Sequence, residues 1–163
     1  MKEIQLTHGK VAMVDDEDFE SLNQHKWHTA DRGMWFYARR TITMESGRRI
    51  KVLMHRQIIQ TPDGMEIDHI DGNGLNNQRE NLRNCTRSQN QWNSRINANN
   101  TSGAKGVSWY KSRNVWVSHI GVNGKRKTLG YFADTKTAAL AYDNAAREYF
   151  GEFAKTNDLR RIP

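Results

Sequence analysis

The chain has 163 residues, 36% of them hydrophobic, with no apolar run near the roughly 20 residues of a membrane span and no signal peptide at its start, so a cytoplasmic protein without membrane contact is expected. Cys85 is the only cysteine, which excludes an internal disulfide and a cysteine-rich structural zinc site. A net charge of +7 and a pI near 9.7 point to a polyanionic partner. The charge is uneven: residues 1–100 hold 14 Lys+Arg against 13 Asp+Glu, and residues 101–163 hold 11 against 5. The general grip on nucleic acid is therefore expected in the last third.

The N-terminal segment reads as β-rich. Ile4-Gln5-Leu6 and Val11 to Val14 flank His8-Gly9-Lys10 as a hairpin. Asp15-Asp16-Glu17-Asp18 opens a short helix over Phe19 to Gln24, where acids suit the positive end. An Asp cluster also suggests a metal site, but helix capping is the preferred reading. Trp27 and Trp35 to Arg40 look like further strands, with Arg39, Arg40, Arg48, Arg49 and Lys51 available to phosphates. His55 precedes a short helix over Arg56 to Ile59 and reads as a structural histidine, with Arg56 placed to brace a phosphate.

Met65 to Ile70 reads as a strand, Asp71-Gly72-Asn73-Gly74 as a turn, and Leu82 to Cys85 as a second strand. Thr86 followed by Gln89 is a capping-box pattern that opens a helix carrying Asn90. Strand, loop, strand and helix can bring Asp68 and Asn90 around one ion. A carboxylate and an amide oxygen are hard ligands, suited to Mg²⁺ or Mn²⁺ rather than zinc. The adjacent His69 can deprotonate a water without being a ligand, and Asn81 can hold the loop that aims it.

Residues about 52–95 resemble the HNH nucleases, in the form common to phage-borne and intron-borne homing endonucleases. The resemblance rests on Met54-His55-Arg56, Ile67 to Asn73, Asn76-Asn77 and Glu80 to Arg83. It implies a ββα-metal fold with Asp68 and Asn90 as metal ligands, His69 as general base, Asn81 as the residue orienting it, and one divalent cation, Mg²⁺ or Mn²⁺. The small β module upstream is similar to one that precedes the motif in many phage endonucleases.

Residues 93–102 lack firm periodicity and read as a helix end and a linker, with Arg95 and the amides as phosphate partners. Three strands follow, over Gly106 to Tyr110, Val115 to Val122 and Lys125 to Phe132, with Asn123-Gly124 as a tight hairpin turn. Asp134-Thr135 caps a helix to about Phe150, stopped by Gly151, whose alanine-rich face lets a sheet lie close. Trp116, Ser118 and Ile120 are expected to meet the helix, leaving His119, Arg126 and Thr128 on the open face.

Residues 101–158 resemble the plant ethylene-response-factor (Apetala-type) DNA-binding domain. The matching residues are Lys105-Gly106-Val107, Trp116-Val117, Leu129 to Phe132, Ala138-Ala139, Ala141-Tyr142-Asp143, Ala145-Ala146 and Asn157. The resemblance implies a sheet that enters the major groove. Lys105, Ser108, Tyr110, His119, Arg126 and Thr128 fall near DNA-facing positions, with Lys111 and Arg113 in the turn between.

The whole reads as an α+β protein: a β-rich module over 1–53, a nuclease core over 54–95, a linker over 96–102 and a DNA-binding domain over 103–158. The expected partner is double-stranded DNA and the expected state a monomer or homodimer. The rival expectation is a sequence-specific DNA-binding regulator that does not cut.

Overall fold

The computed structural model describes residues 1–33 and 35–162. It mixes helices with small antiparallel sheets, as the α+β reading expects. The chain divides into two compact units, residues 1–90 and 91–163. No helix among the described residues is long and apolar enough to cross a membrane.

Unit 1 opens with an antiparallel pair, β1 (Lys2–Gln5) and β2 (Val11–Val14), that buries Ile4, Ala12 and Val14 on one face. α1 (Asp16–Asn23) begins three residues before the expected start, because Asp16, Glu17 and Asp18 form its first turn, where the helix dipole favours acids. The acidic run also clamps a distant segment. Asp15 accepts from the Arg79 amide at 2.7 Å, and Asp18 takes Arg79 Nε and Nη2 at 2.8 and 2.7 Å. A meander follows: β3 (His28–Asp31), β4 (Phe36–Thr43) and β5 (Arg49–Leu53), then α2 (His55–Ile58).

β6 (Glu66–His69) pairs antiparallel with β7 (Leu82–Cys85), setting Asp68 opposite Arg83. α3 (Arg87–Trp92) then runs across the boundary between the units. Its start is the expected capping box: Gln89 N donates to Thr86 Oγ1 at 3.3 Å, and Thr86 N to Gln89 Oε1 at 2.8 Å. One apolar core joins Ile4, Val14, Trp27, Met54, Ile67 and Leu82. It runs across position 53, so the β-rich segment and the segment that follows share a core. Each large side chain so buried contributes roughly 1.5–3 kcal/mol.

Unit 2 is a three-stranded antiparallel sheet in the order β10-β9-β8, formed by β8 (Val107–Tyr110), β9 (Val115–Val122) and β10 (Lys125–Phe132), with α4 (Thr135–Phe150) packed on it. Asn123 and Gly124 take φ of 52° and 73°, as a tight hairpin turn requires. Asp134 caps α4 by accepting from Thr137 N at 2.7 Å. The alanine face of α4 allows close approach, and Gly106 exploits it. At φ +76°, a Cβ there would lie 2.0 Å from the Tyr142 ring. A latch closes the unit: buried Asp143 accepts from Asn157 N and Nδ2 at 2.9 and 2.8 Å, and Asn157 Oδ1 accepts from Lys105 N at 2.7 Å.

Candidate active site and nucleic-acid interface

The pleat of β6 sends Glu66 and Asp68 to one face and Ile67 and His69 to the other. Asp68 is 4% exposed. Across the ladder Arg83 donates Nε and Nη2 to Asp68 Oδ2 at 2.9 and 2.8 Å. A buried carboxylate needs such a partner, and the guanidinium fixes the carboxylate plane.

His69 is 5% exposed, and its Nε2 lies 3.3 Å from Asn77 Oδ1. Asn77 is fully buried, and its Nδ2 donates to the Leu75 carbonyl at 3.2 Å, so its oxygen end faces the ring. An oxygen only accepts, so Nε2 donates, and in the neutral ring the lone pair sits on Nδ1. Burial holds the His69 pKa below the ordinary 6.5, against the raising effects of the Asn77 bond and of Asp71 and Asp68. The ring is therefore neutral near pH 7 and able to take a proton. It contacts His55 edge-on at 5.0 Å between centroids and Tyr37 at 5.9 Å. His55, also buried, is pushed down to about 3 by burial first and by His69 and Arg56 second, so it too stays neutral.

The β-rich start of the chain acquires a role here. Met13 N donates to Leu75 O at 2.9 Å, and Asn77 N donates to Met13 O at 2.8 Å. β2 thus brackets the loop that carries Asn77. Asn81 grips the same loop further back: Oδ1 accepts from Asp71 N at 3.0 Å, and Nδ2 donates to Asp71 Oδ1 and Asn76 O at 3.0 and 2.8 Å. The sequence reading has Asn81 aiming His69. In the structure it holds the turn that follows His69, and the amide in contact with the ring is that of Asn77.

Asn90 Nδ2 donates to Glu66 Oε2 at 2.7 Å. Among the described residues no group of three or more His, Cys, Asp and Glu side chains converges as a metal site. Asp68 carries an anionic oxygen and Asn90 a neutral one. That set suits a hard cation such as Mg²⁺, which keeps several waters and shares phosphate oxygens, rather than a structural zinc. Cys85 offers no thiolate: burial pushes its pKa up to about 11, and Sγ donates to the Glu66 carbonyl at 3.6 Å. A cavity of about 310 Å³ in unit 1 is lined by Arg32, Tyr37, His55, Arg56, Glu66 and Asn90, among others. Arg56, expected to brace a phosphate, lines this cavity together with Arg32.

In unit 2 the register pairs Ser108 with Val117, Tyr110 with Val115, Thr128 with His119 and Arg126 with Gly121. The expected residues therefore share the sheet face turned from α4. Tyr110 and Tyr131 stand 5.8 Å apart there, 38% and 51% exposed, with the Arg113 guanidinium 5.7 and 5.2 Å from their rings. Lys111 and Arg113 are exposed in the turn before β9. His119 is held below its ordinary pKa by burial and then by Arg126. Arg95 lines a separate cavity of about 180 Å³ with Asn97, Asn99 and Asn100.

Lys105 does not fit the expected DNA contact. Its Nζ donates to the Trp92 and Ser94 carbonyls at 2.6 and 2.7 Å, and burial, with Lys155, lowers its pKa to about 8. The ammonium serves the fold by satisfying carbonyls at the end of α3. Arg32, Tyr37, Glu66, Asn77, Arg83 and Tyr131 enter these sites without being foreseen. The motif stretches Asn76-Asn77, Glu80 to Arg83 and Leu129 to Phe132 already contain Asn77, Arg83 and Tyr131, and the aromatic character of Tyr37 gives a weaker signal.

Comparison with known proteins gives two family matches. The HNH endonuclease family model matches residues 60–92, and the AP2 domain model matches residues 102–152. Protein 3.8 of Escherichia phage T7 is 39% identical over 94 residues, which cover 58% of this chain and 77% of that protein. The chain belongs to the HNH endonucleases that carry an AP2 domain. An uncharacterized HNH endonuclease of Acanthamoeba polyphaga mimivirus is 28% identical over 157 residues, covering 93% of this chain and 76% of that protein. No solved structure matches. The HNH match contains Glu66, Asp68, His69, Asn77, Asn81, Arg83 and Asn90, and the AP2 match contains the whole sheet.

Proposed function

We propose that this HNH–AP2 protein is a metal-dependent DNA endonuclease of the homing type, in which residues 1–90 cut and residues 91–163 choose the site. β6, β7 and α3 form the ββα-metal core of the cutting unit. The observation that carries the reading is His69: buried, neutral, fixed by Asn77 and adjacent in sequence to a buried carboxylate. The homing assignment rests on the phage-borne and intron-borne form of the motif over residues 67–83.

Asp68 and Asn90 would hold one Mg²⁺ or Mn²⁺, which supplies Lewis-acid stabilisation of charge on the scissile phosphate and the leaving 3′-oxygen. His69 Nδ1 takes the proton of the attacking water. Arg83 orients Asp68, and Asn81 holds the turn after His69. Arg32 and Arg56 hold phosphates at the cavity wall. The products are a 5′-phosphate and a 3′-hydroxyl. In unit 2 Ser108, Tyr110, His119, Arg126 and Thr128 face base edges, and Lys111, Arg113 and Arg95 engage the backbone. One chain has one site, so a monomer nicks and a homodimer breaks both strands.

The test is to incubate the protein with a genomic DNA library and Mg²⁺, with and without EDTA, and to map the ends. Ends with 5′-phosphates at a recurring sequence, lost with EDTA, are expected. Binding at a recurring sequence without any cut would make the protein a regulator.

A further inference from the structure

An asparagine serves as a cation ligand only through its oxygen, yet the two ends of its amide have nearly the same shape. Something must select which end points where. At Asn90 the selection is visible. Nδ2 donates to Glu66 Oε2 at 2.7 Å, a charge-assisted bond that an amide oxygen cannot replace, because oxygen facing a carboxylate repels it. Glu66 stands two residues before Asp68 on the same face of β6. Its main chain is fixed by pairing with Cys85, whose thiol also donates to the Glu66 carbonyl at 3.6 Å. Asn90 is likewise fixed in the first turn of α3, where its N donates to the Thr86 carbonyl at 3.0 Å. Both ends of the Glu66–Asn90 bond are thus anchored before any cation arrives.

We propose that Glu66 is a positioning residue that takes the NH₂ end of Asn90, so that the oxygen end is presented to the divalent cation shared with Asp68. This rests on the metal-dependent reading above. Glu66 acts through Asn90 and not as a ligand itself. Any side chain that keeps an acceptor at position 66 therefore preserves the function, and removing Asn90 removes the need for Glu66.

The experiment measures Mn²⁺ binding to the full chain by the electron-paramagnetic-resonance signal of unbound Mn²⁺. Glu66→Ala, Glu66→Gln, Asn90→Ala and the Glu66→Ala/Asn90→Ala double variant are compared, each checked for folding by thermal melting. Residues that orient a ligand typically contribute ~10–100-fold to metal affinity. Glu66→Ala should weaken Mn²⁺ binding about tenfold, and Glu66→Gln, which keeps an acceptor, should stay within about threefold of wild type. In the Asn90→Ala background, Glu66→Ala should change nothing further. In cleavage, Glu66→Ala should raise the Mn²⁺ concentration for half-maximal rate about tenfold and leave the rate at saturating Mn²⁺ within about threefold. Additive losses from Glu66→Ala and Asn90→Ala, or equal losses for Glu66→Gln and Glu66→Ala, would overturn the proposal by making Glu66 a ligand or a charge source. Unchanged binding in Glu66→Ala overturns it as well. If wild type binds no Mn²⁺ and cuts no DNA, the metal-dependent reading itself fails. If Glu66→Ala does not fold, the contrast between wild type, Glu66→Gln and Glu66→Leu decides the same question.

Discussion

In unit 1 Asp68, His69 and Asn81 are 4%, 5% and 7% exposed, and each is held by side chains brought from other strands and loops. In unit 2 Tyr110 and Tyr131 are 38% and 51% exposed, and His119 Nδ1 on the same sheet face has no hydrogen-bond partner among the described residues. The difference follows from the work each does. Bond cleavage needs donors and acceptors fixed before the substrate arrives, in surroundings that keep water from competing. Reading a groove needs polar and aromatic groups that have not already been satisfied. Substitutions in unit 1 should therefore act on rate, and on fold as well where they strand a buried charge or crowd the core, while those on the open face of unit 2 should act on affinity alone.

Asp68→Ala should break the comparison hardest. It removes the proposed anionic ligand, which is also the carboxylate that Arg83 holds, so cleavage should fall by ~10³-fold or more, and unit 1 should lose ~3–5 kcal/mol. Rate and melting temperature together check this, with DNA affinity from unit 2 as the internal control.

Gly106→Ala should destabilise unit 2 through packing. A Cβ 2.0 Å from Tyr142, at a φ of +76°, should cost ~1–3 kcal/mol and reduce DNA binding in proportion to the unfolded fraction. Denaturant titration with a filter-binding assay reads both.

Acid should destabilise unit 1 through His55. His55 has a folded pKa of about 3, below its unfolded 6.5, so as pH falls the unfolded chain takes a proton that the folded chain refuses. The His55 contribution is thus intact above pH 6.5 and is lost from there down toward pH 3. The loss reaches ~2 kcal/mol by pH 5. Stability measured from pH 7 to 5 should drop less steeply in His55→Gln than in wild type.

Gly74→Ala sharpens the contrast. A Cβ there would lie 2.5 Å from the Phe36 carbonyl oxygen and 2.6 Å from the Tyr37 ring, and Tyr37 touches His69. Cleavage should fall about tenfold, as for other residues that support a catalytic group from behind, with DNA affinity unchanged. The smallest effect is expected from Arg113→Ala, which should make the salt dependence of binding shallower by ~0.9 in log–log slope, the value of one phosphate no longer neutralised.

Local signals predict most of the elements. The Thr86–Gln89 capping box, the Asn123-Gly124 turn and the Asp134 cap each act within four residues, and the structure contains all three. Alternation along β9 correctly sends Ser118 and Ile120 to the helix. The wiring of the site is not legible in the sequence. Asp68–Arg83, His69–Asn77 and Asn90–Glu66 are pairs set by strand register and loop path, which no window of sequence encodes. Lys105 misleads for the same reason. Its charge reads as an invitation to phosphate, but two carbonyls beyond any local pattern already hold it.

The most direct test of the central account is single-turnover nicking of a supercoiled plasmid library with Mg²⁺ at neutral pH, comparing wild type with His69→Ala at matched DNA occupancy. The account predicts a loss of ~10²–10⁴-fold in rate with DNA affinity and fold preserved. Nicking by His69→Ala at the wild-type rate would contradict it.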